Sequence, residues 1–328
     1  MTVKVMLWGW GLMNPICAKY VLQKGGDVVL VVDRNASRVG KTTDAEVAIA
    51  ATKPDICILA TRSTLKELKD PILTCVSKGV SVVTIAEEAT YPITTAKAIV
   101  EEIDKVAKAN NAAVFGSGYS EWAWVVLPAA VAGAAANVQK VVGLSSYNVN
   151  DYGSALCEKH GVGLSAAEFQ AKISSQASTA GPSYAWSASE GLANTLGFTV
   201  TKMTQEFQPT FADVPVYCDV LKRTLEVGTC TGMAAKATVQ TAEGTEIIFS
   251  TVGKVYAPGD EDCNDWEIFG DPAKITLKMP VPPTVETTCA SAVNRIPQIL
   301  AGPAGYITSK DLGAIHYIAG KFPEVHRT

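Results

Sequence analysis

The sequence predicts an α/β protein in which a doubly wound parallel sheet is followed by a second, α+β domain built on a largely antiparallel sheet. Three observations support this prediction. The 328 residues are enough for two domains. Short apolar runs alternate with amphipathic segments over residues 3–116, which is typical of β-α-β units. Beyond residue 136 the runs are longer, rich in Thr and Val and broken by Gly, which is typical of antiparallel strands.

The first domain contains five short apolar runs that predict buried strands. They lie at residues 3–8, 28–32, 56–61, 80–85 and 113–115, and we expect the last of them to close the sheet. Between them, residues 12–21 and 96–107 each place their apolar side chains on one helical face. These two helices can therefore cover the sheet.

The second domain is predicted from longer runs and from helix-end signals. Strands are expected at residues 138–148, 199–208, 230–239, 246–256 and 275–279. Ser165 and Glu168 form a capping box that opens a helix, and Gly197 stands where another helix would end. We expect a first domain over residues 1–130, a second over 131–293, and a segment over 294–328 that returns to the first domain.

The bulk composition favours a small-molecule ligand. The formal net charge is −4, which gives no electrostatic attraction to nucleic acid or to an anionic membrane surface. The first residues lack the features of a secretory signal, and no apolar run is long enough to span a bilayer. The eight cysteines form no C-x-x-C pair and are expected to be buried thiols. We therefore expect a cytoplasmic protein.

A glycine-containing turn between the first strand and the first helix predicts a dinucleotide site. In Gly9-Trp10-Gly11-Leu12-Met13-Asn14, Gly9 permits the tight turn and Gly11 lets backbone amides approach a pyrophosphate. The N-terminus of the following helix supplies a partial positive charge. Asn14 replaces the third glycine of the usual pattern. The strand before the turn and the helix after it favour a Rossmann-type domain that binds NADP or NAD, with contacts from Gly9, Gly11, Leu12 and Met13.

The end of the second predicted strand bears on the choice between NAD and NADP. Asp33 stands where an acidic side chain binds the adenosine ribose. Arg34 and Arg38 follow, and their guanidinium groups suit a 2′-phosphate or an adenine ring. The alternative is that both arginines are solvated surface charges, so the choice of cofactor stays open. The connection from Arg38 to Asp44 is short for this fold. Either the loop is truncated, or residues are absent from the sequence.

Glu87 and Glu88 follow the fourth predicted strand and are the candidates for catalysis. Ligands of open parallel sheets lie beyond the carboxyl ends of the strands, which is where this pair stands. A carboxylate at this place can accept a proton from a bound ligand and can stabilise a positive charge that develops on it. The alternative is that both side chains cap the following helix or lie in solvent.

Motifs along most of the chain resemble one family. They are Ala60-Thr61-Arg62-Ser63, Val82-Val83-Thr84-Ile85-Ala86-Glu87-Glu88 with Tyr91-Pro92, Gly116-Ser117-Gly118, Tyr147-Asn148-Val149-Asn150-Asp151-Tyr152-Gly153 and Gly161-Val162-Gly163. Together they resemble the 2,4-diaminopentanoate dehydrogenases and the related native amine dehydrogenases. Asn294-Arg295-Ile296-Pro297 is similar to the returning segment of dihydrodipicolinate reductase-like folds.

The resemblance implies an activity and a set of site residues. It implies an NAD(P)H-dependent amine dehydrogenase that reversibly converts a ketone or aldehyde and ammonia into an amine, with Glu87 as the catalytic carboxylate. Ala60, Thr61, Arg62 and Ala86 are expected to contact the cofactor, and Tyr119, Trp124, Tyr147 and Tyr152 the substrate. Filling of the core or of a domain interface is the alternative role of the aromatic rings. We also expect a homodimer, because related folds pair an uncovered sheet face across a two-fold axis.

Two other functions stay open. The first is oxidative deamination of a diamino acid such as 2,4-diaminopentanoate, whose carboxylate would need a partner such as Arg62, Arg223 or Arg295. Against it, Ser120-Glu121-Trp122-Ala123 stands where the diaminopentanoate dehydrogenases usually have Asn-Pro-Gly-Phe. The second is a non-catalytic NADP-binding sensor, which has no need of carboxylates beside the fourth strand. His160 either contacts a ligand or is structural, and lone histidines are more often structural.

Overall fold

A computed structural model describes residues 2–35, 44–176 and 182–324 of the chain. The chain divides into two compact units. Unit 1 comprises Met1–Leu127 together with Pro283–Thr328, and unit 2 comprises Pro128–Pro282. The chain thus leaves unit 1 once and returns to it, so that unit 1 is built from two separate stretches of sequence.

The strands are short in unit 1 and mostly long in unit 2. In chain order they are β1 (Lys4–Trp8), β2 (Asp27–Val32), β3 (Ile56–Leu59), β4 (Ser81–Thr84), β5 (Ala113–Gly116), β6 (Asn137–Asn148), β7 (Val200–Phe211), β8 (Val216–Cys218), β9 (Arg223–Leu225), β10 (Cys230–Thr241), β11 (Glu246–Lys254), β12 (Cys263–Asp271), β13 (Ile275–Leu277) and β14 (Gly305–Ile307).

The helices of the described residues include three that are not α-helical. The α-helices are α1 (Met13–Gln23), α2 (Ala45–Thr52), α3 (Leu65–Val76), α4 (Lys97–Ala109), α5 (Tyr119–Glu121), α6 (Leu127–Ala132), α7 (Ser154–Lys159), α8 (Ala166–Gln176), α9 (Tyr184–Thr195), α10 (Thr284–Ala301) and α11 (Ser309–Leu312). Short 3-10 helices span Glu87–Thr90 and Val149–Tyr152, and Trp122–Val126 is a π-helix.

Unit 1 is the predicted doubly wound sheet. Its strands are all parallel, in the order β14-β5-β4-β3-β1-β2. Every residue of β3, β4 and β5 is buried, because helices cover both faces. Ile49, Leu68 and Ile103, from α2, α3 and α4, pack in the core on one face. The core on the other face contains Cys17 of α1 and Ile296 of α10.

The expectation that residues 113–115 close the sheet is wrong. Beyond β5 lies β14, which pairs with β5 in parallel from Gly305 to Ile307. This strand belongs to the C-terminal stretch of unit 1 and comes after α10 in the chain. Its three residues are too few to show a strand periodicity, so the pattern of the sequence could not reveal it.

Unit 2 contains a six-stranded sheet in the order β13-β12-β6-β11-β10-β7. Neighbouring strands are antiparallel except for β6 and β11, which confirms the prediction of a largely antiparallel sheet. Leu192 and its neighbours in α9 are buried. At the centre, the ring of Trp266 stacks on Phe249 at 4.9 Å, and it fills the space that a Cβ at residue 143 would need.

All five predicted strands of unit 2 are present with slightly different ends, but β8 and β9 were not predicted, and neither was β12. Its buried positions alternate with charged ones, yet the first of them is Asn264, which interrupts the apolar pattern. The predicted capping box is confirmed: the Ser165 backbone N–H donates to Glu168 Oε2 at 2.7 Å, and the Glu168 N–H donates to Ser165 Oγ at 3.3 Å. Gly197 has a positive φ of 81° directly after α9, as its position predicted.

The cysteines are free thiols, and all but Cys263 are buried, as predicted. Across the described ranges of the chain, no helix has both the length and the apolar character needed to cross a bilayer.

Candidate active site

The turn from β1 into α1 has the geometry of a dinucleotide-binding loop. Gly9 has φ +91°, and a Cβ there would lie 2.5 Å from the Ala60 carbonyl oxygen, so only glycine fits. A Cβ at Gly11 would meet nothing within 4 Å, so protein packing does not explain that glycine. Leu12, the N-cap of α1, is 69% exposed and its side chain makes no capping hydrogen bond. The first turn of α1 thus offers N–H groups beside open space, which fits a pyrophosphate.

Asn14, which replaces the third glycine of the pattern, has a structural role. Its buried side-chain Nδ2 donates to the carbonyl oxygens of Gly9 at 2.6 Å and of Trp8 at 3.1 Å. The amide therefore ties α1 to the turn that precedes it. Asn14 in place of the third glycine does not disrupt the turn. Its hydrogen bonds hold α1 against the end of β1, which is the role that close helix–strand packing at a glycine has in the usual pattern.

Asp33, at the end of β2, is bound to the same turn. Its Oδ2 accepts the Trp10 backbone N–H at 2.7 Å and its Oδ1 accepts the Asn35 N–H at 2.8 Å, while only 7% of the residue is exposed. Arg34 is exposed. Arg38 lies outside the described residues. A contact between Asp33 and a ribose stays a prediction, and so does the role of either arginine.

The end of β3 lies against the glycine turn. Ala60 N–H donates to the Trp8 carbonyl oxygen at 2.9 Å, and the Thr61 Cγ2 would lie 2.7 Å from a Cβ at Gly9. Arg62 is half exposed, with its Nε 3.6 Å from Glu67 Oε1. Met13, in the first turn of α1, contacts Cys289 of α10 through its carbonyl oxygen at 3.4 Å. The structure thus gathers these predicted cofactor residues at one edge of the sheet.

Glu87 and Glu88 share one short helix but have different surroundings. Glu88 Oε2 accepts the Leu65 backbone N–H at 2.5 Å and so caps α3. Glu87 Oε2 is buried, and no group in residues 2–35, 44–176 or 182–324 donates a hydrogen bond to it. Burying a carboxylate oxygen without a donor is costly. Glu87 is therefore the member of the pair that is available to a ligand with N–H groups.

The 3-10 helix Glu87–Thr90 is held in place by contacts with β5 and β14. A Cβ at Gly116 would overlap the Ala89 carbonyl oxygen, so the end of β5 must be glycine for the helix to pack there. The Tyr306 hydroxyl donates to the same oxygen at 3.0 Å. Burial, and secondarily the charge of Glu88, raise the pKa of Tyr306, which keeps it a donor. Ala86, which precedes the helix, is buried, and its N–H lies 3.3 Å from Thr84 Oγ1.

A buried ion pair between Glu121 and Arg295 was not predicted from the sequence. Arg295 Nη2 of α10 lies 2.5 Å from Glu121 Oε1, and both side chains are fully buried. Ser309 Oγ donates to the same carboxylate oxygen at 2.9 Å, and Arg295 Nη1 donates to Gln298 Oε1 at 2.7 Å. The sequence signal that could have revealed the pair is that Glu121 and Arg295 each stand among apolar residues. A charge in such a segment is expected to be buried, and buried charges need partners. Arg295 is thus already paired and is a poor candidate for binding a substrate carboxylate.

Two clusters of aromatic side chains contain the predicted substrate residues. In unit 1 the Tyr119 ring centroid lies 6.0 Å from that of Trp124, edge to face, and both residues are largely buried. In unit 2 the Tyr147 and Tyr152 rings meet edge to face at 5.7 Å, and Tyr152 is 48% exposed. His160 belongs to the second cluster, with its ring 5.8 Å from that of Tyr147.

Comparison with known proteins identifies the family. A family model described as the 2,4-diaminopentanoate dehydrogenase C-terminal domain matches residues 124–328. The chain belongs to this dehydrogenase family. The resemblance inferred from the motifs is thereby confirmed.

Relatives of the family match nearly the whole chain. A 2,4-diaminopentanoate dehydrogenase of Acetoanaerobium sticklandii is 26% identical over 348 aligned positions, which cover 98% of this chain and 97% of the relative. The structure of an amine dehydrogenase from Mycobacterium smegmatis has a TM-score of 0.84 and 31% identity, with 97% and 98% of the two chains covered. A dihydrodipicolinate reductase from Paenisporosarcina sp. TG-14 shares the fold, with a TM-score of 0.53, 14% identity and coverage of 94% and 99%.

Membership of the family establishes the class of chemistry. The chain is an NAD(P)-dependent oxidoreductase of the type that acts on CH–NH2 groups. The substrates of such dehydrogenases are small molecules. The open space beside Gly11 and the uncapped first turn of α1 fit the dinucleotide that this class requires.

Proposed function

We propose that the protein is an amine dehydrogenase that catalyses the reversible reductive amination of a ketone or aldehyde with ammonia, and that Glu87 is its catalytic carboxylate. The observation that supports this most directly is the buried Glu87 Oε2, which lacks a donor among the described residues, beside a Glu88 that is occupied by Leu65. When bound, NAD(P)H supplies the hydride that reduces the imine carbon. The protein's own task is to handle the protons of ammonia.

The proposed task of Glu87 follows from the chemistry of its carboxylate. Ammonium must lose a proton before its nitrogen can attack a carbonyl carbon, and a carboxylate within hydrogen-bond reach can accept that proton. The same negative charge then stabilises the positive iminium nitrogen. In the reverse direction the carboxylate orients the amine nitrogen through its N–H groups.

The other proposed contacts follow the sequence prediction. We assign the cofactor to Gly9, Gly11, Leu12, Met13, Asp33, Arg34, Arg38, Ala60, Thr61, Arg62 and Ala86, and the substrate to Tyr119, Trp124, Tyr147 and Tyr152. Aromatic side chains suit a mainly apolar ketone or aldehyde. The proposal includes a homodimer and a cytoplasmic location, and it leaves the choice between NADP and NAD open.

A second candidate function is oxidative deamination of 2,4-diaminopentanoate. The family match and the relative from Acetoanaerobium sticklandii favour it. Three of its possible carboxylate ligands are already engaged: Arg295 with Glu121, Arg62 with Glu67, and Arg223 with the carbonyl oxygen of Gly163 at 3.1 Å. We therefore rank it below the amine dehydrogenase. The sensor hypothesis has no support, since the relatives are dehydrogenases.

The experiment that tests the proposal compares two substrates with the purified protein. NAD(P)H consumption is followed with cyclohexanone and ammonium, and NAD(P) reduction is followed with 2,4-diaminopentanoate. Turnover of cyclohexanone to an amine, with little or no turnover of the diamino acid, supports the amine dehydrogenase. The opposite ranking supports the second candidate, and inactivity with a wide panel of amines and ketones contradicts both.

A further inference from the structure

The 3-10 helix that carries Glu87 has three distinct sides. It has three residues per turn, so side chains three positions apart lie one above the other. Ala86 and Ala89 share one side, and both pack in the core of unit 1. Glu88 is on the second side, where its carboxylate caps α3. The third side therefore belongs to Glu87 and Thr90.

This third side carries two buried oxygens that lack hydrogen-bond partners. Thr90 is only 5% exposed, and its Oγ1 makes no hydrogen bond with any residue that the structure describes. The same is true of Glu87 Oε2. Burial of such oxygens is costly unless a ligand supplies N–H or O–H groups. A carboxylate and a hydroxyl on one side of a helix suit a small cation that has several hydrogens to donate.

The packing of Thr90 places the two oxygens at the carboxyl end of the parallel sheet. A Cβ at Gly116, the last residue of β5, would lie 2.0 Å from the Ala89 carbonyl oxygen and 2.7 Å from the Thr90 nitrogen. The helix thus packs on the end of β5, and in the chain it follows β4. Ligands of open parallel sheets lie at this edge. Both oxygens belong to unit 1, as does the glycine turn after β1.

We propose that Thr90 and Glu87 together bind the ammonium ion that reductive amination consumes, with one N–H donated to the Thr90 hydroxyl and another to the Glu87 carboxylate. This inference rests on the proposed function, in which ammonia is a substrate. It adds to that function a second residue that contacts the nitrogen. It also limits the ligand of this side of the helix to a small ion with N–H groups.

The hydroxyl has a task that the carboxylate alone cannot perform. When ammonium gives a proton to Glu87, the electron pair of the broken N–H bond stays on nitrogen, and the charge that attracted the ion is neutralised. The Thr90 hydroxyl can still accept an N–H from the resulting ammonia. It thereby holds the nitrogen in place while the electron pair forms the C–N bond with the carbonyl carbon.

Steady-state kinetics of Thr90→Val test the assignment. Valine keeps the branched shape of threonine but lacks the hydroxyl, so the KM for ammonium should rise about tenfold or more, the effect of losing a hydrogen bond to a charged group. The KM for the ketone should not change. Thr90→Ser, which keeps the hydroxyl, should remain close to the wild type. Thr95→Val is the matched control: the Thr95 hydroxyl is also buried without a partner among the described residues, but it lies outside the 3-10 helix.

Melting temperatures test the site without turnover, because a ligand that binds the folded state raises the melting temperature. Potassium has the charge and nearly the size of ammonium but no hydrogens to donate. Ammonium chloride should therefore raise the melting temperature more than potassium chloride at the same concentration. The difference should be lost in Thr90→Val and in Glu87→Gln, and it should persist in Thr95→Val. Without added salt, Thr90→Val should be as stable as the wild type, since its hydroxyl makes no hydrogen bond with the described residues.

The possible outcomes separate this inference from the proposed function. An unchanged KM for ammonium in Thr90→Val, an equal rise of that KM in Thr95→Val, or equal stabilisation of the wild type by the two salts would overturn the inference. Failure of the wild type to form an amine from any ketone would contradict the proposed function. The comparison of the two salts would even then decide whether Thr90 and Glu87 bind ammonium.

Discussion

The carboxylate of Glu88 accepts the backbone N–H of Leu65 at 2.5 Å and thereby caps α3. Its neighbour Glu87 belongs to the same 3-10 helix, yet Glu87 Oε2 receives no donor from the described part of the chain. Adjacent side chains of identical chemistry thus differ because one faces a helix N-terminus and the other does not. Their position after the fourth predicted strand does not distinguish the two side chains.

The first prediction concerns Glu87→Gln. Glutamine keeps the size of the side chain but cannot accept a proton from ammonium. We expect kcat for reductive amination to fall by about 10² to 10⁴, the usual contribution of a general base. The free energy of unfolding should change little, because Oε2 makes no hydrogen bond with the described residues. Steady-state kinetics and urea denaturation measure the two quantities.

Glu88→Gln is the matched control for that prediction and should show the opposite pattern. The charge-assisted hydrogen bond to Leu65 weakens, so the free energy of unfolding should fall by about 1 to 2 kcal/mol. Most of the kcat should remain. Equal loss of activity in the two variants, or a loss confined to Glu88→Gln, would contradict the assignment of Glu87.

A second prediction concerns Gly116→Ala, at the end of β5. The added Cβ would overlap the Ala89 carbonyl oxygen, so the helix that carries Glu87 must move. Displacement of a catalytic group by about 1 Å can cost up to 10² in rate, and overpacking costs about 1 to 3 kcal/mol. We expect kcat to fall at least tenfold, measured by the amination assay. Gly133→Ala is the control, because its Cβ would come no nearer than 3.2 Å to Ala130.

The parallel sheet could be predicted because its strands are buried on both faces and are therefore continuous apolar runs. The glycine turn could also be predicted, because the backbone conformation at residue 9 requires a glycine and the sequence shows one there. β14 could not be predicted, because three residues carry no period and its partner β5 is distant in sequence. The role of the Asn14 side chain in holding the turn could not be predicted, since comparison with the glycine pattern shows only that the third glycine is missing.

The candidate site was predictable only as a set of residue types. The resemblance favoured Glu87 over Glu88, but the physical difference between them depends on Leu65, 23 residues earlier in the chain. Glu121 and Arg295 are 174 residues apart, and neither sequence position reveals the other. Contacts at such separations follow from tertiary packing, which local periodicity does not encode.

A third prediction concerns the buried pair of Glu121 and Arg295. Glu121→Gln leaves the buried guanidinium without a charged partner, so the free energy of unfolding should fall by about 3 to 5 kcal/mol. Adding Arg295→Met should recover part of this loss, because the unpaired charge is removed. Urea denaturation provides the measurement. The half-exposed pair of Lys140 and Glu246 is the control, and Glu246→Gln should cost at most about 1 kcal/mol. A full, additive loss in the double variant would contradict the pairing.

A fourth prediction concerns stability against pH. Burial lowers the pKa of His160 below its usual value of about 6.5, so between these two values the unfolded chain binds a proton that the folded chain does not. The free energy of unfolding should therefore decrease as pH falls below about 6.5, with a limiting slope of about 1.4 kcal/mol per pH unit from this group. His160→Gln should lack that contribution. Denaturation curves from pH 7.5 to 5 that stay parallel for wild type and variant would disprove it.

The fifth prediction concerns Gly11→Ala and separates binding from folding. A Cβ at this position would meet no protein atom within 4 Å, and its φ is not in the left-handed region, so the melting temperature should be unchanged or slightly higher. The methyl group would instead occupy the space through which backbone amides approach the pyrophosphate. We expect the Kd for NADPH, measured by fluorescence titration, to rise at least tenfold, an effect that Gly133→Ala should not share. An unchanged Kd would mean that the dinucleotide does not pass over this turn, and a lower melting temperature would mean that Gly11 serves the fold.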